Sequence, residues 1–357
     1  MDASAFEKRL QEEIVYAERV LREHLPEEEG LQGKIMEAMN YSLLAGGKRL
    51  RPILMRETYR MCGGEDGSAI EHFMAAIEMI HTYSLVHDDL PAMDNDRYRR
   101  GKETTWYVYG ETMGILAGDG LLNYAFETAI RAFQETGTEG AQERISDSER
   151  FARLERAAAA FSVLARKAGI YGMIGGQVVD VMAEKEIGQA EKSPIEASGH
   201  VPYVQDERGP VPGDTDSAEV AGGAPDSVTA DAGARLLFIH AHKTAALIQA
   251  AMMAGAILAG ADSGQVAAIE RCAYNIGIAF QIQDDILDVI GDSEELGKAT
   301  GSDAANRKET YVTWKGLDQA KADVEALSRE AVGILDGFRG EHEFLKQLVL
   351  TLIDRRK

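Results

Sequence analysis

The sequence predicts an all-α protein, and three features of the chain support this fold class. Apolar residues recur at helical spacing along most of the 357 residues. The composition is rich in Ala, Leu, Glu and other good helix formers, and alternating β-branched segments are almost absent. Five of the eight prolines lie between Glu184 and Gly233, so few prolines interrupt the remaining chain.

The proline-rich segment is the part of the chain that does not fit a helical pattern. The run from Lys192 to Ala234 includes Gly-Pro-Val-Pro-Gly and has little apolar surface to bury, which predicts a disordered or loosely looped insertion. Helical periodicity resumes directly afterwards at Arg235. We therefore interpret residues 1–357 as one domain interrupted at about 192–234, although the length alone also permits two smaller domains.

The charge balance limits the class of partner. A formal net charge of −21 argues against nucleic acid, since clustered Lys and Arg are needed to hold a phosphate backbone. The N-terminus has no basic region followed by an apolar run, and no stretch of about 18 apolar residues occurs. We therefore expect a cytoplasmic protein with no stable membrane anchor. Local clusters of Lys and Arg in this acidic chain suit a small polyanion.

The first acidic motif follows a helical pattern that begins near Ala69. It contains Asp88, Asp89, Asp94 and Asp96 within nine residues. Carboxylates at such spacing raise one another's pKa unless cations neutralise them. Mg²⁺ prefers oxygen ligands and shares its coordination sphere with water and substrate phosphates. The motif by itself is equally compatible with a solvated acidic helix end.

The second acidic motif contains Asp284, Asp285 and Asp288 and also follows an apolar helical run. Asp284 and Asp288 are spaced i, i+4, so they lie on one helix face and repel each other unless a metal is bound. Large apolar neighbours such as Phe280 and Ile286 are not expected around an acidic pair that faces solvent. The two motifs, about 190 residues apart, predict two helices that face each other across a cavity and hold Mg²⁺ and a diphosphate.

Together these motifs resemble the two aspartate-rich motifs of the trans-prenyl diphosphate synthase family, and in particular bacterial-type farnesyl diphosphate synthases. Further segments match in family order from about residue 30 to the C-terminus, except in the insertion. These segments are Gly46-Gly-Lys-Arg-Leu-Arg-Pro52, Arg97-Tyr-Arg-Arg-Gly-Lys102, Leu116-Ala-Gly-Asp119, Gly175-Gly-Gln-Val-Val-Asp180, His242-Lys-Thr244 and Lys308-Glu-Thr-Tyr311. The resemblance implies a single antiparallel helical bundle of the isoprenoid synthase type around a deep central cavity.

The resemblance also implies a role for each matching residue. Metal positions are Asp88, Asp94 and Asp284, with Asp89, Asp285 and Asp288 as further acids of the motifs. Diphosphate-binding positions are Gly47, Lys48, Arg51, His81, Arg99, Arg100, Lys298 and Lys308. Catalytic positions are Lys243, Thr244 and Gln281 around the reacting cation, with Gln177 and Asp180 facing the cavity. The implied reaction uses Mg²⁺ to ionise an allylic diphosphate, which isopentenyl diphosphate then attacks before a proton is lost to the released diphosphate.

Product length is expected to depend on residues just before the first motif. In the family the product grows along this helix, and Tyr83 and Ser84 lie about one turn before Asp88. An aromatic residue at this position, with a four-residue spacer in the motif, favours the fifteen-carbon farnesyl product. Trp106, in place of a frequent His, departs from the family pattern and puts substrate preference in doubt more than activity.

Alternative functions remain open at this stage. A geranylgeranyl diphosphate synthase shares the same motifs, and a regulatory subunit would keep the fold without catalysis. A terpene cyclase also uses acidic metal motifs, but it has no second diphosphate and so no need of Gly47, Lys48 and Arg51. We expect a homodimer, as the family usually forms, while a heteromeric partner stays possible.

Overall fold

The computed structural model describes residues 1–134, 146–190, 227–290 and 309–353. Its described elements are predominantly α-helices, which confirms the all-α prediction. The helices are α1 (Ala3–Glu23), α2 (Gly33–Leu43), α3 (Leu50–Met61), α4 (Ser68–Asp88), α5 (Thr105–Tyr109), α6 (Glu111–Gln134), α7 (Asp147–Ala168), α8 (Met173–Ala190), α9 (Ser227–Ile239), α10 (Ala246–Ala259), α11 (Ser263–Ile290), α12 (Tyr311–Lys315), α13 (Leu317–Leu335) and α14 (Glu343–Ile353). Among the described residues, none of these helices is long and apolar enough to cross a membrane.

Two helices form the centre of the bundle. All residues from Ala246 to Ala256 of α10 are buried, as expected for a helix that is apolar all round. Helix α10 packs against α3, α7 and α11, and α4 packs mainly against α6. Gly255 allows α10 to approach α3 closely, because a Cβ atom there would overlap the backbone carbonyl of Met55. The central position of α4 holds its C-terminal aspartates on a rigid support.

A π-helical segment, His240–Ala245, joins α9 to α10 and carries two of the predicted catalytic residues, Lys243 and Thr244. Such wide turns inside helices occur frequently at functional sites. Helix α9 begins at Ser227, so residues 227–234 of the predicted insertion form a helix and not a loop. The remainder of the predicted insertion, 192–226, lies outside the described residues.

A short hairpin follows the first aspartate motif. Its strands are β1 (Tyr98–Arg99) and β2 (Lys102–Glu103), which pair antiparallel with Arg99 opposite Lys102. Arg100 and Gly101 form the two-residue turn and both have positive φ, 54° and 77°, the conformation that tight hairpins require. The turn directs the Arg100 guanidinium back to the carbonyl oxygen of Gly46, to which it donates a hydrogen bond.

Two buried histidines connect α1 to α4. His24 Nδ1 lies 2.7 Å from the carbonyl oxygen of Val20, and His24 Nε2 lies 2.8 Å from Nδ1 of His72. A carbonyl oxygen only accepts, so Nδ1 of His24 carries hydrogen, and Nε2 of a neutral His24 accepts from His72. Burial lowers the pKa of His24 below its usual value. Protonation of His24 would therefore oppose folding.

This pair predicts a loss of stability in mild acid. His24 in the folded state binds a proton less tightly than His24 in the unfolded chain. The stability that depends on neutral His24 is therefore complete above the unfolded pKa of about 6.5 and decreases as the pH falls below that value. We expect the free energy of urea unfolding to fall between about pH 7.5 and pH 5, and His24→Gln to reduce that slope. His342→Gln, at the surface beside Asp336, is the control. An unchanged slope in His24→Gln would contradict the prediction.

Candidate active site

The first aspartate motif begins where α4 ends. The backbone N–H of Asp94 donates to the carbonyl oxygen of Asp88 at 2.9 Å, so the loop folds back over the helix end. The Asp88 carboxylate accepts a hydrogen bond from Nε2 of Gln177 on α8, also at 2.9 Å. Burial raises the pKa of Asp88 to about 6, against the opposing charge of Lys243. This buried carboxylate therefore lies where a further cation would stabilise its ionised form.

Asp89 and Arg99 form an ion pair beside Asp88. Arg99 Nε donates to Oδ1 of Asp89 at 2.6 Å, and its Nη2 lies 3.4 Å from Oδ2 of Asp96. Burial raises the pKa of Asp89 to about 6, although Arg99 opposes the shift. Two residues predicted separately, one for metal and one for diphosphate, are thus partners in this structure.

Lys243 and Asp180 bring the π-helical segment and α8 together. Lys243 Nζ donates to Oδ2 of Asp180 at 2.6 Å. Gly176 permits the close approach, because a Cβ atom there would overlap the backbone of His242 and Lys243. The charges of Lys243 and Asp180 both act on the Asp88 carboxyl. Residues that the sequence places far apart therefore form one polar cluster with Gln177.

The second aspartate motif lies in the last turns of α11. Asp284 accepts a hydrogen bond from Nε2 of Gln281 at 3.3 Å. Asp285 accepts from the backbone N–H of Tyr311, the first residue of α12, at 2.6 Å. Its Oδ2 also lies 3.9 Å from Nε2 of His240. Asp285 therefore connects α11 to two other elements of the bundle.

The oxygen donors of both motifs suit Mg²⁺. Within the described ranges, no three His, Cys, Asp or Glu side chains come close enough to hold a metal ion by themselves. Mg²⁺ commonly binds through one or two carboxylates and takes its other ligands from water and substrate phosphates. Burial raises the pKa of Asp88 although Lys243 opposes the shift, so a further cation beside this carboxylate would stabilise its ionised form. The residues present therefore fit Mg²⁺ when a diphosphate completes the coordination.

A cationic cluster lies behind the first motif. Burial, with the charge of Arg100, lowers the pKa of Arg51 to about 10, although the nearby Glu78 opposes the shift. Burial and the charges of Arg51 and Arg100 hold the pKa of His81 well below its usual range. Gly47 is tightly packed against the Arg100 guanidinium, because a Cβ atom at Gly47 would overlap it. The Nε atom of Arg51 is buried without a hydrogen-bond partner among the described residues.

Burial and mutual repulsion make this cluster unfavourable, and the nearby Glu78 offsets only part of the cost. Like charges that face one another in a partly buried site destabilise the charged forms of their side chains. Lys48 is exposed at the edge of this cluster. A cavity of about 40 Å³ adjoins it, lined in part by Asp89, Arg99 and Arg100. The arrangement suits a diphosphate, which would pair with several of these donors at once.

The two predicted chain-length residues differ in environment. Tyr83 is only 6% exposed, and the edge of its ring packs on His87 with centroids 5.6 Å apart. His87 Nε2 in turn lies 3.0 Å from the carbonyl oxygen of Ile115 on α6. The Ser84 hydroxyl donates to the carbonyl oxygen of His81 at 2.8 Å, so it is turned back onto its own helix. Of the two, Tyr83 is the bulky residue that the helix contributes.

Sequence reasoning missed three structural roles. Tyr311 and His240 contact the second aspartate motif through Asp285, and the only signal in the sequence was the place of Tyr311 within one quoted segment and of His240 just before another. Arg49 lies in the basic motif, yet its guanidinium pairs with Glu18 and Glu78 at 2.6 and 2.8 Å in the core. Two predicted diphosphate-binding residues fall outside the described part of the chain, namely Lys298 and Lys308.

Comparison with known proteins agrees with this geometry. The polyprenyl synthetase family model matches residues 32–195 and 221–347. The chain belongs to the polyprenyl synthetase family. It is a trans-prenyltransferase, a trans-prenyl diphosphate synthase, and the resemblance predicted from its motifs is confirmed.

Similar proteins of this family carry different product names. The chain is 39% identical over 316 residues to a farnesyl diphosphate synthase of Geobacillus stearothermophilus, covering 88% of this chain and 86% of that protein. It is 40% identical over 304 residues to a chloroplastic geranylgeranyl pyrophosphate synthase of Capsicum annuum, covering 85% of this chain and 66% of the relative. A solved FPP/GFPP synthase from Zymomonas mobilis superimposes with a TM-score of 0.70 at 27% identity, covering 99% and 100% of the two chains.

Proposed function

We propose that this trans-prenyl diphosphate synthase condenses isopentenyl diphosphate with dimethylallyl or geranyl diphosphate and releases (E,E)-farnesyl diphosphate in an Mg²⁺-dependent reaction. The observation that carries the proposal is the pairing of two different sites at the end of α4. Asp88 and its neighbours provide oxygen ligands, while the guanidinium groups of Arg51 and Arg100, with the neutral His81 ring, provide hydrogen-bond donors behind them. A two-diphosphate reaction needs both kinds of site.

Each side chain has a defined task in this reaction. Bound Mg²⁺ would neutralise the charge that develops on the departing diphosphate. Asp88 and Asp94 would hold it from α4 and its loop, and Asp284 and Asp288 from α11. Arg99 would bind the allylic diphosphate from the hairpin, where Asp89 fixes its guanidinium. These charges would favour ionisation of the allylic C–O bond, because they stabilise the leaving group in the transition state.

The carbocation would then be stabilised by dipoles from two helices. The π-helical segment carries Lys243 and Thr244, and α11 carries Gln281. Helix α8 is held beside them by the hydrogen bonds of Gln177 to Asp88 and of Asp180 to Lys243. Isopentenyl diphosphate, held by Lys48, Arg51, His81 and Arg100, would attack the cation through its double bond. Loss of a proton to the released diphosphate completes the reaction without a protein base.

The experiment that tests this proposal is a product analysis. Purified protein is incubated with Mg²⁺, labelled isopentenyl diphosphate and each allylic diphosphate, and the dephosphorylated products are separated by chain length. A dominant fifteen-carbon alcohol supports the proposal, and a twenty-carbon alcohol supports geranylgeranyl synthesis, a name that one similar protein carries. Absence of condensation with both motifs intact would favour a regulatory subunit.

The fifteen-carbon limit predicts an effect of Tyr83. This side chain lies five residues before Asp88, about 7.5 Å along the helix axis, on the path that the product is proposed to follow. We expect Tyr83→Ser to give a substantial twenty-carbon fraction, because the smaller side chain opens space for one more isoprene unit. The same chain-length analysis provides the measurement. Tyr274→Ser, at a partly exposed site on α11, is the control, and an unchanged product ratio in Tyr83→Ser would assign Tyr83 to core packing alone.

The proposed assembly is a homodimer. Helices α6 and α7 expose several large apolar side chains, which a second copy of the chain would cover. These side chains are Ile115, Leu116, Ile130, Phe151 and Leu154. Sedimentation analysis at micromolar concentration distinguishes a dimer from a monomer.

A further inference from the structure

His240 is a buried side chain with a ring nitrogen that makes no hydrogen bond within the described part of the chain. It is 5% exposed, and its Nδ1 atom is buried without a hydrogen-bond partner in the described part of the chain. Its Nε2 atom lies 3.9 Å from Oδ2 of Asp285, which is too long for a hydrogen bond. A buried polar group without partners costs free energy, so its presence requires an explanation.

His240 lies between the polar cluster of Lys243 and Asp180 and the second aspartate motif. His240 begins the π-helical segment that carries Lys243, and Lys243 is bound to Asp180 on α8. The charge of Asp180 acts on the His240 ring as well. On the other side, Asp285 belongs to the second aspartate motif and holds the N–H of Tyr311. His240 therefore faces acidic groups from α8 and from α11.

We propose that His240 is a positioning residue, which fixes the second aspartate motif against the π-helical segment by donating a hydrogen bond from Nε2 to Asp285 when diphosphate and Mg²⁺ bind. The proposal rests on the proposed function. A shift of about 1 Å closes the present separation to hydrogen-bond distance. A carboxylate only accepts, so in a neutral ring the hydrogen resides on Nε2.

The bond would act on geometry and not on the reacting atoms. Asp284 precedes Asp285 on α11, so holding this turn of the helix against the π-helical segment also holds the backbone that carries the carboxylate proposed to bind the metal. The same bond would place Lys243 and Thr244, which follow His240 within the π-helical segment. Groups that orient metal ligands in this way change metal affinity or activity by about 10- to 100-fold when they are removed.

The test compares His240→Leu with His240→Gln, since the amide of Gln retains an N–H donor. Two readouts are measured: kcat, and the rise in Tm caused by Mg²⁺ with inorganic diphosphate. We expect His240→Leu to lose about 10- to 100-fold in kcat and most of the Tm rise. We expect His240→Gln to recover most of both. His342→Gln is the control, because that ring lies beside Asp336, outside the motifs of the site, and its replacement should change kcat by no more than about twofold.

A double-mutant cycle with Asp285→Asn separates positioning from a general effect on folding. If the two side chains act as a unit, the double variant with His240→Leu and Asp285→Asn loses no more kcat than the more impaired single variant. Losses that multiply, or a His240→Leu variant with wild-type kcat and Tm response, would overturn the proposal. If the wild-type protein gave no condensation product, the proposed function would fail, while the Tm response would still test His240.

Discussion

We expect Asp88→Asn to lower kcat by about 1,000-fold, because the variant removes the buried charge that is proposed to hold Mg²⁺. A metal contributes several kcal/mol to stabilising developing charge, and each 1.36 kcal/mol corresponds to a factor of ten in rate. The substitution keeps the size of the side chain and an oxygen that can accept from Gln177. Steady-state rates with both diphosphates saturating measure the loss.

Stability provides the internal check on Asp88→Asn. Burial raises the pKa of Asp88 to about 6, so the ionised carboxylate lowers the stability of the folded state relative to the unfolded chain at neutral pH. A neutral amide removes this cost, and the Tm of the protein alone should stay constant or rise. Asp147→Asn, at an exposed position in the first turn of α7, is the control for both measurements. A kcat within about tenfold of wild type would show that Asp88 does not hold the metal.

The sequence predicted the helical class and the two acidic motifs because both depend on local spacing. Repeating apolar positions identify helices, and Asp284 and Asp288 share a face whatever the rest of the chain does. The tertiary partners of these residues could not be read from spacing. The pairing of Asp89 with Arg99 depends on a two-residue hairpin turn with positive φ at Arg100, which no local pattern indicated.

Arg49 and Arg51 illustrate the same limit. Both belong to one basic motif, and resemblance to a family identifies the motif as a whole. The structure separates them, because Arg49 is 2% exposed and pairs with Glu18 and Glu78, whereas Arg51 has a buried Nε without a partner in the described chain. Long-range packing decides which of two neighbouring cations stabilises the fold and which is left to bind a ligand.

This difference gives the second prediction with a large effect. We expect Arg51→Met to raise KM for isopentenyl diphosphate by about 100-fold, since a charged hydrogen bond contributes about 1.5–3 kcal/mol and each 1.4 kcal/mol is a factor of ten. KM for the allylic diphosphate should change little, because Arg99 and not Arg51 is proposed to bind it. Initial rates with each substrate varied in turn separate the two values.

The matched variant Arg49→Met should show the opposite pattern. Removing one partner of a buried ion pair leaves Glu78 without its cation and costs about 3–5 kcal/mol of unfolding free energy. By contrast, burial and the charge of Arg100 lower the pKa of Arg51 to about 10, so its charge is a cost to the ligand-free fold and Arg51→Met should keep or raise the Tm. A protein that becomes more stable while it loses affinity for one diphosphate would identify Arg51 as a ligand-binding residue. Equal destabilisation by both variants would instead assign Arg51 to the fold.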